Sequence, residues 1–148
     1  MEGKITKISP TKVILHCSAT PDYKEDDKLF DMYGKHDIDK WHRERGWHGC
    51  GYHYVIRRGG EIEKGRRDYE KGAHCLGYNH NSLGICYMGT REPTLMQLES
   101  IVKLYYDIRK LHLIEYPSWF GHYEFNPQKM CPGFSMNVFR DYLRFAYK

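Results

Sequence analysis

Lys12-Val13-Ile14-Leu15-His16, just after Pro10, is an apolar, β-branched run that ends on an imidazole. A short run of this kind, bounded by turn formers, reads as a buried strand. Functional groups in α/β sheets sit at the carboxyl ends of strands, so His16 stands where chemistry is expected. Cys17-Ser18-Ala19-Thr20-Pro21 then leaves the strand, since proline fixes φ and restricts the residue before it.

The rest of the chain arranges itself around that strand. Residues 22–35 are charged, with Asp26, Asp27 and Gly34, and read as a solvated loop without the regular ligand spacing of a calcium site. His36 to Gly46 predicts a short helix, with Asp37 as N-cap, Ile38 and Trp41 on one face and Gly46 as the stop. Tyr52 to Arg57 is strand-like, and Gly59-Gly60 turns it into a returning strand at Glu61-Ile62-Glu63. Gly72 to Ser82 is a polar, glycine-punctuated loop, and Leu83-Gly84-Ile85-Cys86-Tyr87-Met88 a core strand. Thr94 to Leu113 is the long helix: Thr94 and Gln97 have capping-box spacing, and Leu98, Ile101, Val102, Tyr105, Ile108 and Leu111 form one apolar face. Ser135 caps a final helix with Val138, Phe139, Tyr142 and Leu143 inward. This order predicts a single α/β domain over residues 1–148, a layered fold with a central mixed β-sheet flanked by about three helices.

Composition agrees. The chain is 41% hydrophobic and 15% aromatic, which is globular and excludes disorder. A net charge of +4 is too small to identify a nucleic-acid binder, so none is expected, and it mildly favours an anionic polymer. The five cysteines are odd in number and include no C-x-x-C pair, which predicts free thiols in a reducing compartment. Met1 to Lys7 contains no apolar signal-like core, and no apolar run approaches membrane-spanning length. The expectation is synthesis in the cytosol, no classical export signal and no membrane insertion.

The other chemical centre is Gly121-His122-Tyr123-Glu124-Phe125-Asn126-Pro127-Gln128-Lys129-Met130-Cys131-Pro132-Gly133. Its prolines and Gly133 oppose helix, and an extended Lys129 to Cys131 would point both side chains to one side. His122 and Cys131 are zinc-ligand types, and His16 could complete a set of three that leaves a fourth position open for water. At the level of spacing this reading stands beside a plainer one, in which some of nine histidines fall at strand ends by chance.

Five motifs, in order along nearly the whole chain, resemble the type-2 N-acetylmuramoyl-L-alanine amidases. They are Val13 to Thr20, Trp41 to Trp47, Gly51 to Ile56, Gly72-Ala73-His74 through Asn79 to Ile85, and Gly121-His122 with Lys129 to Phe134. The similarity is greatest to small phage lysozymes that are zinc amidases, and peptidoglycan recognition proteins share the fold. The resemblance implies zinc on His16, His122 and Cys131, a catalytic tyrosine at Tyr52 and a catalytic lysine at Lys129. It implies cleavage of the bond between N-acetylmuramic acid and L-alanine in peptidoglycan, as a monomeric endolysin held in the host cytoplasm until release to the wall. His74 and Asn79 lie in the loop that lines the substrate groove in relatives, where holding the loop is an equal alternative. Some phage relatives also restrain the phage RNA polymerase, a partner that no motif here tests.

Each residue also has a plainer role. Tyr52 alone would be a strand tyrosine tipped to solvent, and Lys129 alone a surface lysine. His53, on the opposite strand face, reads as a core or supporting histidine, and Cys17 as a small buried hydrophobe. Cys50, Cys75 and Cys86 are assigned no chemistry. Ser100-Ile101-Val102-Lys103 has S-x-x-K spacing but lies inside the long helix, on a solvated face. The long 22–35 loop and the short connection after Glu92 depart from the family pattern and bear on stem-peptide preference. Two competing functions remain: a non-catalytic peptidoglycan-binding module, which the presence of Cys131 disfavours, and a cysteine hydrolase.

Overall fold

The computed structural model describes residues 2–146. Five strands form one sheet in the order β3-β2-β4-β1-β5. They are β1 (Lys12–Cys17), β2 (Tyr54–Ile56), β3 (Ile62–Lys64), β4 (Ser82–Tyr87) and β5 (Trp119–Gly121). β1 runs parallel to both β4 and β5, β2 runs parallel to β4, and the edge strand β3 is antiparallel to β2. The helices are α1 (Lys35–Glu44), α2 (Leu95–His112) and α3 (Met136–Ala146). The expected mixed sheet with three helices is what forms.

Parallel strands are covered on both faces, which is why β1 and β4 read as unbroken apolar runs. Alternation sorts them. Val13, Leu15 and Cys17 with Leu83, Ile85 and Tyr87 join the core under α2 and α3, while Cys86 joins Val55, Met88 and Ile38 of α1. Ile14, His16, Ser82 and Gly84 alternate with the first set and so share the second face. The α2 capping box forms: Thr94 Oγ1 accepts from the Gln97 N–H at 3.0 Å and Gln97 Oε1 from the Thr94 N–H at 2.9 Å. Gln97 is fully buried and also donates to the carbonyls of Ile56 and Met88, so the cap ties the ends of β2 and β4 to the helix.

Several local expectations are corrected. Asp37 is not the N-cap of α1. Gly34 is, and Asp37 reaches back from the first turn to accept the Gly34 N–H at 2.9 Å. Gly46 does follow the helix at a φ of 85°. Asp22 is anchored rather than solvated, accepting from the N–H groups of Thr90, Arg91 and Glu92. Leu111 is exposed, and Leu104 takes its place on the buried face of α2. Ser135 does cap α3, accepting from the Val138 N–H, but the inward residues are Met136, Phe139 and Leu143. Val138 and Tyr142 instead line an apolar groove of about 760 Å³ between α2 and α3, together with Leu95, Leu98 and Val102. None of the candidate catalytic or metal-binding residues lines that groove.

Tyr52 and His53 precede β2 rather than lying in it, because the His53 ring replaces a strand carbonyl. Its Nδ1 accepts the Gly84 N–H at 3.0 Å, and its Nε2 is 2.7 Å from the Glu70 carbonyl. The ring is completely buried, and burial pushes its pKa from 6.5 down to about 4. Between those values the unfolded chain binds a proton that the folded chain refuses, so stability is lost as pH falls through this window. The expected contribution of His53 is about 3 kcal/mol, and urea midpoints measured from pH 7 to 4 should fall accordingly. His53→Gln, which can keep an acceptor and a donor, should flatten that slope by about one proton; an unchanged slope would show that His53 is not its source.

Candidate active site

Parallel pairing brings the two distant histidines together. Leu15 of β1 lies opposite Gly121 of β5, so the next residues, His16 and His122, emerge side by side at the carboxyl ends of both strands. Their Nδ1 atoms are 3.1 Å apart. Cys131 is brought back by its carbonyl, which accepts the Tyr123 N–H at 3.0 Å, and Pro132 is held by the Tyr87 hydroxyl on its carbonyl at 2.6 Å. The segment between is not extended. One turn is closed by the Lys129 N–H on Asn126 O and the next by the Gly133 N–H on Met130 O, with a cis Cys131–Pro132 bond inside it. Gly133 adopts a φ of 87°, and a Cβ there would lie 2.4 Å from the Thr90 carbonyl, so the second turn requires glycine.

His16 is 2% exposed. Burial pushes its pKa well below the usual imidazole range, and the nearby charges of His74, His122 and Lys129 add to this. The Lys129 ammonium, though its residue is exposed, is therefore close enough to act on the site. Cys131 carries the opposite bias. Its sulfur lies 3.3 Å from that of Cys17, and this contact, with His122 nearby, biases Cys131 toward thiolate. Cys17 correspondingly keeps its proton. Cys17 thus meets Cys131 sulfur to sulfur as well as being a small buried side chain.

Tyr52 packs its half-buried ring 5.1 Å from that of His16, with its hydroxyl end sunk near Cys86. Burial raises the phenol pKa well above its usual value, so Tyr52 stays protonated and is a donor, not a base. His74 is buried behind His16, with its Nδ1 2.8 Å from His16 Nε2. Asn79 Oδ1 accepts the N–H groups of both His74 and Cys75 at 2.9 Å and so pins the loop.

As placed, no three His, Cys, Asp or Glu side chains among the described residues form a ready metal cage, because the imidazoles face each other and Cys131 faces Cys17. The donor set nonetheless fits zinc. Two nitrogens on one tetrahedral zinc stand about 3.3 Å apart, close to the observed 3.1 Å. Metal ligands must be deprotonated, and the fold favours that state at both His16 and Cys131.

Sequence reasoning missed Ser82 and Gly84. Ser82 is fully buried with its Oγ 3.2 Å from His74 Nε2, and a Cβ on Gly84 would lie 2.6 Å from the His74 ring. A lone glycine inside a strand signals close approach, and Gly84 carried that signal.

Comparison with known proteins identifies the family and the fold. The sequence profile of the N-acetylmuramoyl-L-alanine amidase family, Amidase_2, matches residues 6–134. The endolysin of Escherichia phage T7 is 35% identical over 136 residues, covering 86% of this chain and 83% of that protein. The amidase LysC from Clostridium intestinale superposes with a TM-score of 0.79 at 24% identity, covering 99% of this chain and 92% of its own. Drosophila PGRP-LB superposes with a TM-score of 0.73 at 27% identity, covering 95% and 84%.

Proposed function

The chain belongs to the N-acetylmuramoyl-L-alanine amidase family, and from that premise we propose that it is a zinc-dependent amidase cutting between N-acetylmuramic acid and L-alanine in peptidoglycan. Similarity to phage endolysins supports a role in host lysis, with the protein acting on the wall after release. The observation that carries the zinc reading is the facing pair of imidazole nitrogens beside a thiolate-leaning cysteine. Among the described residues no helix is long and apolar enough to cross a membrane.

His16, His122 and Cys131 would hold the ion. Zinc at such a site polarises a carbonyl and lowers the pKa of its water to about 7. Lys129 supplies a positive donor to the carbonyl oxygen as it gains negative charge. Tyr52, held protonated, would turn its hydroxyl from Cys86 to donate a hydrogen bond to that oxygen or orient the attacking water. The peptide linkage opens to a free L-alanine amine and a muramic acid carboxylate.

Digestion of purified peptidoglycan should release free L-alanine N-termini, and full chelation should abolish the release, with zinc restoring it. Binding without release by zinc-loaded protein would instead identify a recognition module. A thiolate-leaning Cys131 with His122 nearby is also the arrangement of a cysteine nucleophile. Activity surviving complete metal removal would establish that reading and end the zinc one.

A further inference from the structure

His74 has both ring nitrogens engaged inward, which leaves neither for substrate. The contacts can be followed proton by proton from a group that has none. The Tyr78 carbonyl lies 2.7 Å from Ser82 Oγ, and at that distance the serine proton must sit between the two oxygens. Ser82 has no second proton, so toward His74 Nε2, 3.2 Å away, it accepts. His74 therefore carries its proton on Nε2. A neutral imidazole has only one N–H, so His74 Nδ1 is bare and accepts from His16 Nε2 at 2.8 Å. The lone pair of His16 is thereby left on Nδ1, the atom that faces His122.

The geometry points to His74 as a positioning residue that, with Ser82, fixes the tautomer of His16 so that its Nδ1 lone pair faces the proposed metal position. This deepens the zinc reading and rests on it. The relay is built into the fold. Ser82 and Gly84 project from one face of β4, and a Cβ at Gly72 or Gly84 would come within 2.6 Å of the His74 ring, which packs against both glycines. Asn79 holds the backbone of the same residue. A metal-ligating histidine normally donates its other N–H to a fixed acceptor, and loss of that partner costs about 10–100-fold in metal affinity.

The first test needs no substitution. Long-range ¹⁵N–¹H correlation on the metal-free protein should show His16 and His74 both protonated on Nε2 and bare on Nδ1. A proton on His16 Nδ1 would overturn the relay. Ser82→Ala removes the acceptor for His74 and should give mixed His16 tautomers, with zinc bound about 10-fold or more weakly by competition against a chromophoric chelator. His74→Asn, whose carbonyl can still accept from His16, should bind zinc more tightly than His74→Ala. Wild-type zinc affinity and tautomers in Ser82→Ala would refute the assignment, and if the variants fail to fold, the wild-type spectrum decides alone. A protein with the assigned tautomers but no zinc affinity would sink the zinc reading and leave the relay standing. Zinc bound through His16 Nε2 would do the reverse.

Discussion

Cys131→Ala is expected to lose zinc and amidase activity together. A metal-bound imidazole carries no charge, so the substitution removes the only anionic member of the proposed set and the one whose thiolate character the fold promotes. Activity should fall by more than the about 10²–10³-fold that one oxyanion donor is worth, because the polarising ion goes as well as a contact. Metal analysis of the purified variant beside a peptidoglycan digest reads both quantities. Cys131→Asp adds the discriminating arm. A carboxylate can ligate zinc but cannot replace a thiolate nucleophile, so partial zinc binding with partial activity is expected. Zinc retained in Cys131→Ala would remove Cys131 from the ligand set. An inactive Cys131→Asp that binds zinc normally would favour the cysteine nucleophile.

How far the sequence led can be judged at particular residues. The run Lys12 to His16 and the strand around Ile85 were legible because burial on both faces leaves no polar alternation to confuse them. The Thr94–Gln97 box was legible because capping is local chemistry. What escaped depends on neighbours distant in sequence. Val138 and Tyr142 look inward on a helical wheel, but α3 meets the sheet through Met136, Phe139 and Leu143, and the other two face a groove beside α2. Asp22 sits in a charged stretch and gave no sign of the three backbone N–H groups it gathers from residues 90–92. In the site, His16, His122 and Cys131 were each visible as donors. That the two histidines would meet was implied only by the family resemblance and not by spacing, because it follows from β1 and β5 being parallel neighbours in register at Leu15 and Gly121. The tie from Ser82 through His74 to His16 lay still deeper. It joins a strand residue, a loop residue and another strand, and only Gly84, giving way to the ring, left a trace in the sequence.

Lys129→Ala is expected to keep zinc bound and lower kcat by about 10²–10³-fold, with a smaller change in KM. In the free protein Lys129 is exposed, and a solvated ammonium contributes little. Its charge nevertheless bears on His16, which is why the proposed role is in the site and not on a remote surface. When a glycan strand covers the site and displaces water, the same charge acts through a lower dielectric and strengthens. The scissile carbonyl of the bound substrate is neutral, and negative charge develops on its oxygen only as the carbon becomes tetrahedral. The attraction to Lys129 is therefore greatest in the transition state, which places the loss in kcat. Lys129→Arg keeps the charge but presents a planar fork in place of a compact ammonium, so partial activity is expected. Lost zinc in Lys129→Ala would mean that the residue supports the metal site instead. Unchanged kcat would return it to the surface lysine that its exposure alone suggests.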